Sequence, residues 1–166
     1  MQSLHSDPAY WARRLNTPQS PLFVRSLAEA IKFFRGNLPG LSDHSLESHL
    51  RPIDWHWPDF RIVQLMAGER IYAFRYDAIG PVGMYFSRSG TAARDAGIKT
   101  KGRSRVTYVV TAATDALWCR TRSIVTFWDP KNPSYLAVGG AMQLIVVNAR
   151  LKVRLEISTS TRTATS

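Results

Sequence analysis

The chain changes its hydrophobic periodicity near residue 60. Before that point apolar residues recur every three or four positions, most clearly in "SPLFVRSLAEAIKFFRGN" (residues 20–37). This spacing places one apolar stripe along a helix. From about residue 70 the pattern becomes short runs rich in Val, Ile, Tyr and Trp, separated by turns, which is typical of strands. We therefore predict an α+β fold, with a helical N-terminal segment and a twisted, mainly antiparallel β-sheet.

The main helix has recognisable ends. Ser20 suits its N-cap, Pro21 suits the first helical position, and Gly36 suits its stop. Its apolar stripe must pack against the rest of the domain. A shorter helix is predicted before it, in "DPAYWARRL" (7–15).

Residues 37–60 are predicted to form an irregular connection with one short helix at 42–50. The stretch holds three prolines and three of the four histidines. His44 and His49 are not spaced four apart, and no histidine follows residue 60, so we predict no metal site.

Seven segments of the second part are predicted to be strands. A short helix beginning at Thr91 and a charged loop, "KTKGRSR" (99–105), interrupt them, and the polar tail 159–166 is predicted to be disordered. The strand segments are "RIYAFRY" (70–76), "GMYFS" (83–87), "RVTYVVTA" (105–112), "DALWC" (115–119), "SIVTFW" (123–128), "MQLIVV" (142–147) and "LKVRLEIS" (151–158).

The charge balance points to an anionic partner. The chain has 22 Lys and Arg against 12 Asp and Glu, a net charge of +10. This favours nucleic acid, a nucleotide, an acidic protein or an anionic membrane surface. No apolar run is long enough to span a membrane, and no secretory signal is visible. The single cysteine, Cys119, excludes an internal disulfide and is interpreted as a core residue.

The common hydrolase and nucleotide-binding motifs are absent, and three places remain that could carry chemistry. The first is Arg75, just before a glycine turn. The second is "GMYFSRSGTAARDAGI" (83–98), where a helix N-terminus and Arg94 could hold an anion. The third is "GGAMQ" (139–143), where Gln143 heads an apolar strand. A buried amide without partners costs about 1–3 kcal/mol, so either the fold satisfies Gln143 or a ligand binds there.

The order of these pieces resembles the ADP-ribosyltransferase superfamily, and within it the tuberculosis necrotizing toxin group of NAD glycohydrolases. The likeness covers residues 68–157. Ala141 stands where that group has a third glycine, and Arg70 in "GERIY" is an alternative to Arg75 for its first arginine. The matching pieces are Arg75, "GMYFSRSGTAAR" (83–94), "TYVV" (107–110), "FWDP" (127–130) and "GGAMQ" (139–143).

The resemblance implies three parts of the chain and one substrate. Residues 61–158 would be an NAD-binding catalytic domain of the ADP-ribosyltransferase type, residues 1–60 a helical extension, and residues 159–166 a tail. NAD+ would be the substrate, with no resident cofactor. Breaking its nicotinamide–ribose bond leaves an oxocarbenium-like sugar, as in glycoside hydrolysis.

The resemblance also implies roles for the catalytic residues. Arg75 would grip the pyrophosphate, Ser87 would brace the ribose or support the arginine, and Gln143 would hydrogen-bond the ribose hydroxyls.

Further binding roles follow from the same likeness. Arg94 would be a second clamp on the phosphates, Ser89 is the alternative to Ser87, and Tyr85 or Trp128 would stack on the nicotinamide or cover it.

The implied biology is that of a secreted toxin. The protein would leave its cell through a specialised system, or as part of a larger toxin, and act in the cytoplasm of a target cell. An acidic cognate immunity protein would be its partner, and no membrane partner is expected. Water as acceptor makes the protein a glycohydrolase, whereas a nucleic acid or protein acceptor makes it a mono-ADP-ribosyltransferase; glutamine at position 143 favours hydrolysis.

Two readings compete with the enzyme. One is a basic nucleic-acid-binding module without catalysis, which "RSRVTYVV" (103–110) and "RIYAFRY" allow because aromatic and basic residues alternate there. The other is a structural domain in which the backbone satisfies Gln143. A single cleft lined by Arg75, Tyr85, Trp128 and Gln143 would favour the enzyme. The same residues scattered over different faces would argue against it.

Overall fold

The computed structural model describes residues 5–75, 82–88, 102–125, 136–137 and 139–156. In these residues three helices precede nine strands, which confirms the predicted α+β class. The helices are α1 (Pro8–Arg14), α2 (Pro21–Asn37) and α3 (Asp43–Leu50). The strands are β1 (Arg61–Leu65), β2 (Arg70–Arg75), β3 (Tyr85–Phe86), β4 (Ser104–Val110), β5 (Thr114–Arg120), β6 (Ile124–Val125), β7 (Leu136–Ala137), β8 (Met142–Ile145) and β9 (Val153–Leu155).

The helix ends follow local capping chemistry. The Asp7 side chain accepts a hydrogen bond from the backbone N–H of Ala9, 2.9 Å away, at the start of α1. Ser20 is the N-cap of α2 as predicted, although its side chain makes no capping hydrogen bond. The predicted stop at Gly36 is wrong, because α2 continues to Asn37 and Gly36 lies inside its last turn.

The strands form two main antiparallel sheets. One has the order β1-β5-β8-β3 and the other the order β2-β4-β9, while β6 and β7 form a small separate pair. In the part of the chain that the structure describes, an antiparallel bridge between Tyr72 and Ser87 joins the two main sheets. All strand pairings in the described residues are antiparallel, as expected. The prediction missed β1 and β7; β1 is a largely exposed edge strand with polar residues at Arg61 and Gln64, so it lacks a continuous apolar run.

The two faces of the four-stranded sheet belong to two different cores. The helical core lies between the three helices and one face of this sheet, and the inter-sheet core lies between the two sheets. Strand alternation sends Ile145 and Val147 to the helical core, and Leu144 and Val146 to the inter-sheet core. The helices and the sheet thus bury their apolar faces in one continuous unit. None of the described helices is long and apolar enough to cross a membrane.

Candidate active site

Gln143 lies in the helical core with only half of its amide satisfied. It is the second residue of β8, pairs with Cys119 of β5 across the ladder, and is 6% exposed. Its Nε2 donates a hydrogen bond to Cys119 Sγ over 3.5 Å. Within the described residues, Oε1 accepts no hydrogen bond. This oxygen keeps some contact with solvent, so it can accept a hydrogen bond from water or from a ligand.

The two glycines before Gln143 build the turn that places it. Gly139 and Gly140 have φ values of +67° and +90°, and a Cβ at Gly139 would lie 2.5 Å from the carbonyl oxygen of Arg122. The backbone N–H of Gly140 donates to Thr121 O, and that of Thr121 donates to Ala141 O, both over 2.9 Å. Glycine is required here by both conformation and space. The turn fixes the register in which Gln143 faces Cys119.

Arg120 and Trp57 support the same turn from outside. The guanidinium of Arg120 lies 4.5 Å from the centroid of the Trp57 ring, and its Nε donates to Gly140 O over 3.1 Å. Asp54 lies 3.7 Å from the same Nε. Trp57 remains 41% exposed.

Ser87 follows β3 at the junction of the two sheets, where it bridges to Tyr72. The register of β3 with β8 pairs Tyr85 with Ile145 and Phe86 with Leu144, so its extension by one residue sets Ser87 opposite Gln143. Ser87 is 3% exposed, and its backbone exchanges two hydrogen bonds with Tyr72, of 2.7 and 2.9 Å. Paired residues point to one face of a sheet, so Ser87 and Gln143 share the side of the helical core.

Tyr85 completes this group. It packs against the helical core two residues before Ser87, and therefore on the same face. Burial raises the pKa of Tyr85 to about 12, with a further contribution from Cys119. Its phenol is neutral at physiological pH and offers a flat apolar ring with one hydroxyl. We call Tyr85, Ser87, Cys119 and Gln143 the amide cluster.

Arg75 lies apart from the amide cluster. It is the last residue of β2 and alternates with Ile71 and Ala73, which face the inter-sheet core. Its Nη1 donates a hydrogen bond to the phenolic oxygen of Tyr108, a fully buried residue of that core. Since Tyr72 pairs with Ser87, strand alternation puts Arg75 on the opposite face from Ser87.

Arg70, the alternative arginine, lies on an open face at the start of β2. Its guanidinium makes a two-pronged ion pair with Glu156, at 2.8 and 2.9 Å from Oε1. It lines a concavity of about 280 Å³ together with Glu69, Ile71, Tyr72 and Arg88. Arg70 and Arg88 bring two positive charges to this concavity, while Glu69 in its lining and Glu156 on Arg70 bring two negative ones.

Three of the predicted binding residues cannot be placed. Ser89, Arg94 and Trp128 lie outside the described residues, as does the predicted helix beginning at Thr91. The structure thus brings together Tyr85, Ser87 and Gln143. In the described ranges, no group of three His, Cys, Asp or Glu residues could hold a metal ion.

Cys119 is the member of the amide cluster that sequence reasoning did not assign to the site. Its residue type and its apolar strand both indicated a core position, and it is indeed 1% exposed. Only the register of β5 with β8 shows that its sulfur meets Gln143, 24 residues away along the chain.

The structure defines an α+β protein of two antiparallel sheets, with helices covering one of them. No protein family model matches the chain, and no curated protein matches it. Its fold is similar to that of Tse6 in the structure of Tse6 in complex with Tsi6, with a TM-score of 0.67 and 19% identity, over 84% of this chain and 99% of that one. Rhs1-CT in complex with its cognate immunity protein RhsI1 aligns with a TM-score of 0.42 and 16% identity, over 64% of this chain and 81% of that one. The Tse6 alignment shows the fold.

Proposed function

We propose that this chain is a toxin domain that cleaves the nicotinamide–ribose bond of NAD+. The observation that carries the proposal is the amide of Gln143, which is buried, held by Cys119 at Nε2, and on the sheet face that the register of β3 and β8 also gives to Tyr85 and Ser87. The sequence resemblance to the NAD glycohydrolase group supports NAD+ as substrate. The similarity to the Tse6 fold supports the toxin class.

The reaction needs orientation more than acid–base chemistry. The bond between the ribose C1′ and the pyridinium nitrogen breaks, and its electron pair leaves with nicotinamide, which departs neutral. Water adds to C1′ and loses a proton to solvent, giving ADP-ribose. Because no group must protonate the leaving group, an active site without histidine is sufficient. The protein must hold the sugar and stabilise the positive charge that develops on it.

The amide cluster supplies those functions in this proposal. Gln143 Oε1 accepts a hydrogen bond from a ribose hydroxyl, which orients the sugar. Ser87 braces the same ribose from the neighbouring strand, and the ring of Tyr85 covers the nicotinamide. The relatives that modify protein carry glutamate, which also positions the acceptor, so glutamine at this position favours hydrolysis over transfer to a macromolecule.

The pyrophosphate requires a cation, and two arginines compete for this role. Arg75 is the candidate from the sequence likeness, but it lies on the opposite face from Ser87 and donates a hydrogen bond to Tyr108 of the inter-sheet core. Arg70 lines the concavity that Arg88 also lines, and a phosphate there would compete with Glu156 for its guanidinium. Arg75→Ala should raise the KM for NAD+ at least tenfold if Arg75 binds phosphate, whereas a larger effect of Arg70→Ala assigns the role to Arg70. The roles of Ser89, Arg94 and Trp128 remain predictions.

The test is to mix the purified protein with NAD+ and measure nicotinamide and ADP-ribose by mass spectrometry. Gln143→Ala should abolish product formation. The matched control is Gln64→Ala, because Gln64 is exposed on the edge strand β1. Nicotinamide release only in the presence of RNA, DNA or protein would make the chain a transferase. No release from folded protein in any of these mixtures would overturn the proposal.

A second candidate function, nucleic-acid binding, is favoured by one surface. The outer face of the three-stranded sheet carries Arg70, Arg105 and Arg154, and the guanidinium of Arg105 lies 5.0 Å from the ring centroid of Tyr72. Basic and aromatic groups on a sheet face are typical of single-strand binders. Binding of a labelled oligonucleotide should then fall steeply with salt, and Arg105→Ala should weaken it.

The proposed toxin would be delivered into target cells and neutralised by an acidic immunity protein. The net charge of +10 suits an acidic inhibitor, and association should slow as salt rises. The test is to co-express an acidic protein encoded next to this chain in cells that produce the chain. Restored growth would identify that protein as the partner.

A further inference from the structure

We propose that Cys119 is a positioning residue that sets the orientation of the Gln143 side-chain amide. Its sulfur accepts the Nε2 hydrogen bond and leaves Oε1 available to a ligand. The inference rests on the proposed function for its catalytic consequence, but the orientation itself can be measured independently.

The geometry fixes both partners. Cys119 and Gln143 are paired in the ladder between β5 and β8, so their backbones cannot slide relative to each other. Cys119 is 1% exposed and Gln143 is 6% exposed, so packing restricts both side chains. A separation of 3.5 Å between Nε2 and Sγ suits a hydrogen bond to sulfur.

The chemistry of the pair selects one orientation of the amide. Burial raises the pKa of the Cys119 thiol to about 12, so the sulfur is neutral and is a weak donor. An amide N–H is the stronger donor of the two, and the amide oxygen is the stronger acceptor. The pair is therefore best satisfied with Nε2 on sulfur, while the better acceptor, Oε1, remains for a hydroxyl group.

This orientation matters for a reaction in which positive charge develops on a sugar. The oxygen is the negative end of the amide dipole, and preorganised dipoles aimed at developing charge lower the barrier. An amide free to rotate would present its NH2 group part of the time, which cannot accept a hydroxyl hydrogen bond. Cys119 thus acts on the reaction through Gln143 without contacting substrate.

Two substitutions separate positioning from packing. Cys119→Ser keeps an acceptor but places a polar hydroxyl in an apolar core. Cys119→Val fills the space with apolar atoms but removes the acceptor. We expect the valine variant to be the more stable of the two and the serine variant to be the more active. The kcat of the valine variant should be about tenfold below that of the serine variant, with a KM within twofold of the wild-type value. If activity follows stability, so that valine matches or exceeds serine, the role of Cys119 is packing and the proposal is overturned.

Side-chain amide NMR gives a readout that does not need activity. The NH2 pair of Gln143, assigned by its loss in Gln143→Leu, should exchange slowly with solvent in wild type and Cys119→Ser, and at least tenfold faster in Cys119→Val. Slow exchange in all three would overturn the positioning role even if NAD+ is cleaved. The expected pattern in a protein that does not cleave NAD+ would sustain the positioning role and remove only the proposed function.

Discussion

The helical core buries two polar side chains to nearly the same degree, and the fold treats them differently. Glu47 is 5% exposed, and Gln143 is 6% exposed. Arg51 donates to one carboxylate oxygen of Glu47 over 3.0 Å, and Arg14 donates to the other over 2.7 Å. Gln143 has a thiol as partner for its nitrogen, and its oxygen has none among the described residues. The fully paired Glu47 ties α1 to α3, whereas Oε1 of Gln143 is the acceptor that our proposal assigns to a ribose hydroxyl.

The protonation state of Glu47 agrees with this structural role. Burial by itself would raise its pKa, but the hydrogen bonds and charges of Arg14 and Arg51 outweigh burial, so the pKa lies below its usual value. Glu47 therefore stays charged at neutral pH and links α1 to α3.

Leucine substitutions at Gln143 and at Glu47 should separate the two roles most clearly. If the proposed function holds, Gln143→Leu should lower NAD+ hydrolysis about 100-fold or more, because it removes the group that we propose orients the ribose. Its free energy of unfolding should change by less than about 1 kcal/mol, since a half-satisfied buried amide contributes little. Glu47→Leu should keep kcat/KM but lower the free energy of unfolding by about 1–2 kcal/mol. Enzyme kinetics and urea unfolding measure the two effects; similar losses of stability in both variants would remove the distinction.

The turn that places Gln143 should tolerate replacement of its glycine far less than the turn at Gly68 does. Gly139 and Gly68 both have positive φ, but a Cβ at Gly68 meets nothing within 4 Å, whereas at Gly139 it meets the Arg122 carbonyl oxygen at 2.5 Å. Gly139→Ala should therefore cost about 1–3 kcal/mol more than Gly68→Ala in urea unfolding, because of overpacking. Gly139→Ala should also lower activity, since the head of β8 must shift. Equal costs at the two positions would show that the close approach is relieved without strain.

The sequence predicts the fold better than it predicts the arrangement of the candidate site. Periodicity is sufficient to predict α2 and the main strands, because their apolar patterns are local. Gln143 could be singled out because it interrupts an apolar run. Its contact with Cys119 could not be predicted, because it depends on the register of strands 24 residues apart. The face on which Arg75 lies was equally out of reach, since it depends on which side of β2 meets the inter-sheet core.

Acid unfolding should report the complete pairing of Glu47. A carboxyl whose pKa is lowered by folding adds stability above its unfolded pKa, and that stability is lost as pH falls through the folded pKa. The midpoint temperature of wild type should therefore fall as pH drops below about 4.5. Glu47→Gln should make this decline less steep. In terms of the free energy of unfolding, the slope should fall by up to about 1.4 kcal/mol per pH unit, the value for one proton. A thermal unfolding series from pH 5 to pH 3 measures it, and identical slopes would mean that Glu47 titrates alike in both states.

His49 should give the smallest effect and tests whether the helices respond to pH without an ion pair. Its ring stacks on Phe34 with centroids 5.2 Å apart, and burial lowers its pKa. The unfolded chain therefore binds more protons than the folded one just below pH 6.5, so stability should fall as pH drops from 7 towards 5. His49→Gln should remove this component, whereas His44→Gln, at an exposed position of the same helix, should leave it in place. If both variants keep the wild-type dependence of the unfolding midpoint on pH, the titration of His49 is not coupled to folding. The contrast between paired and unpaired polar groups would then depend on Glu47 and Gln143 alone.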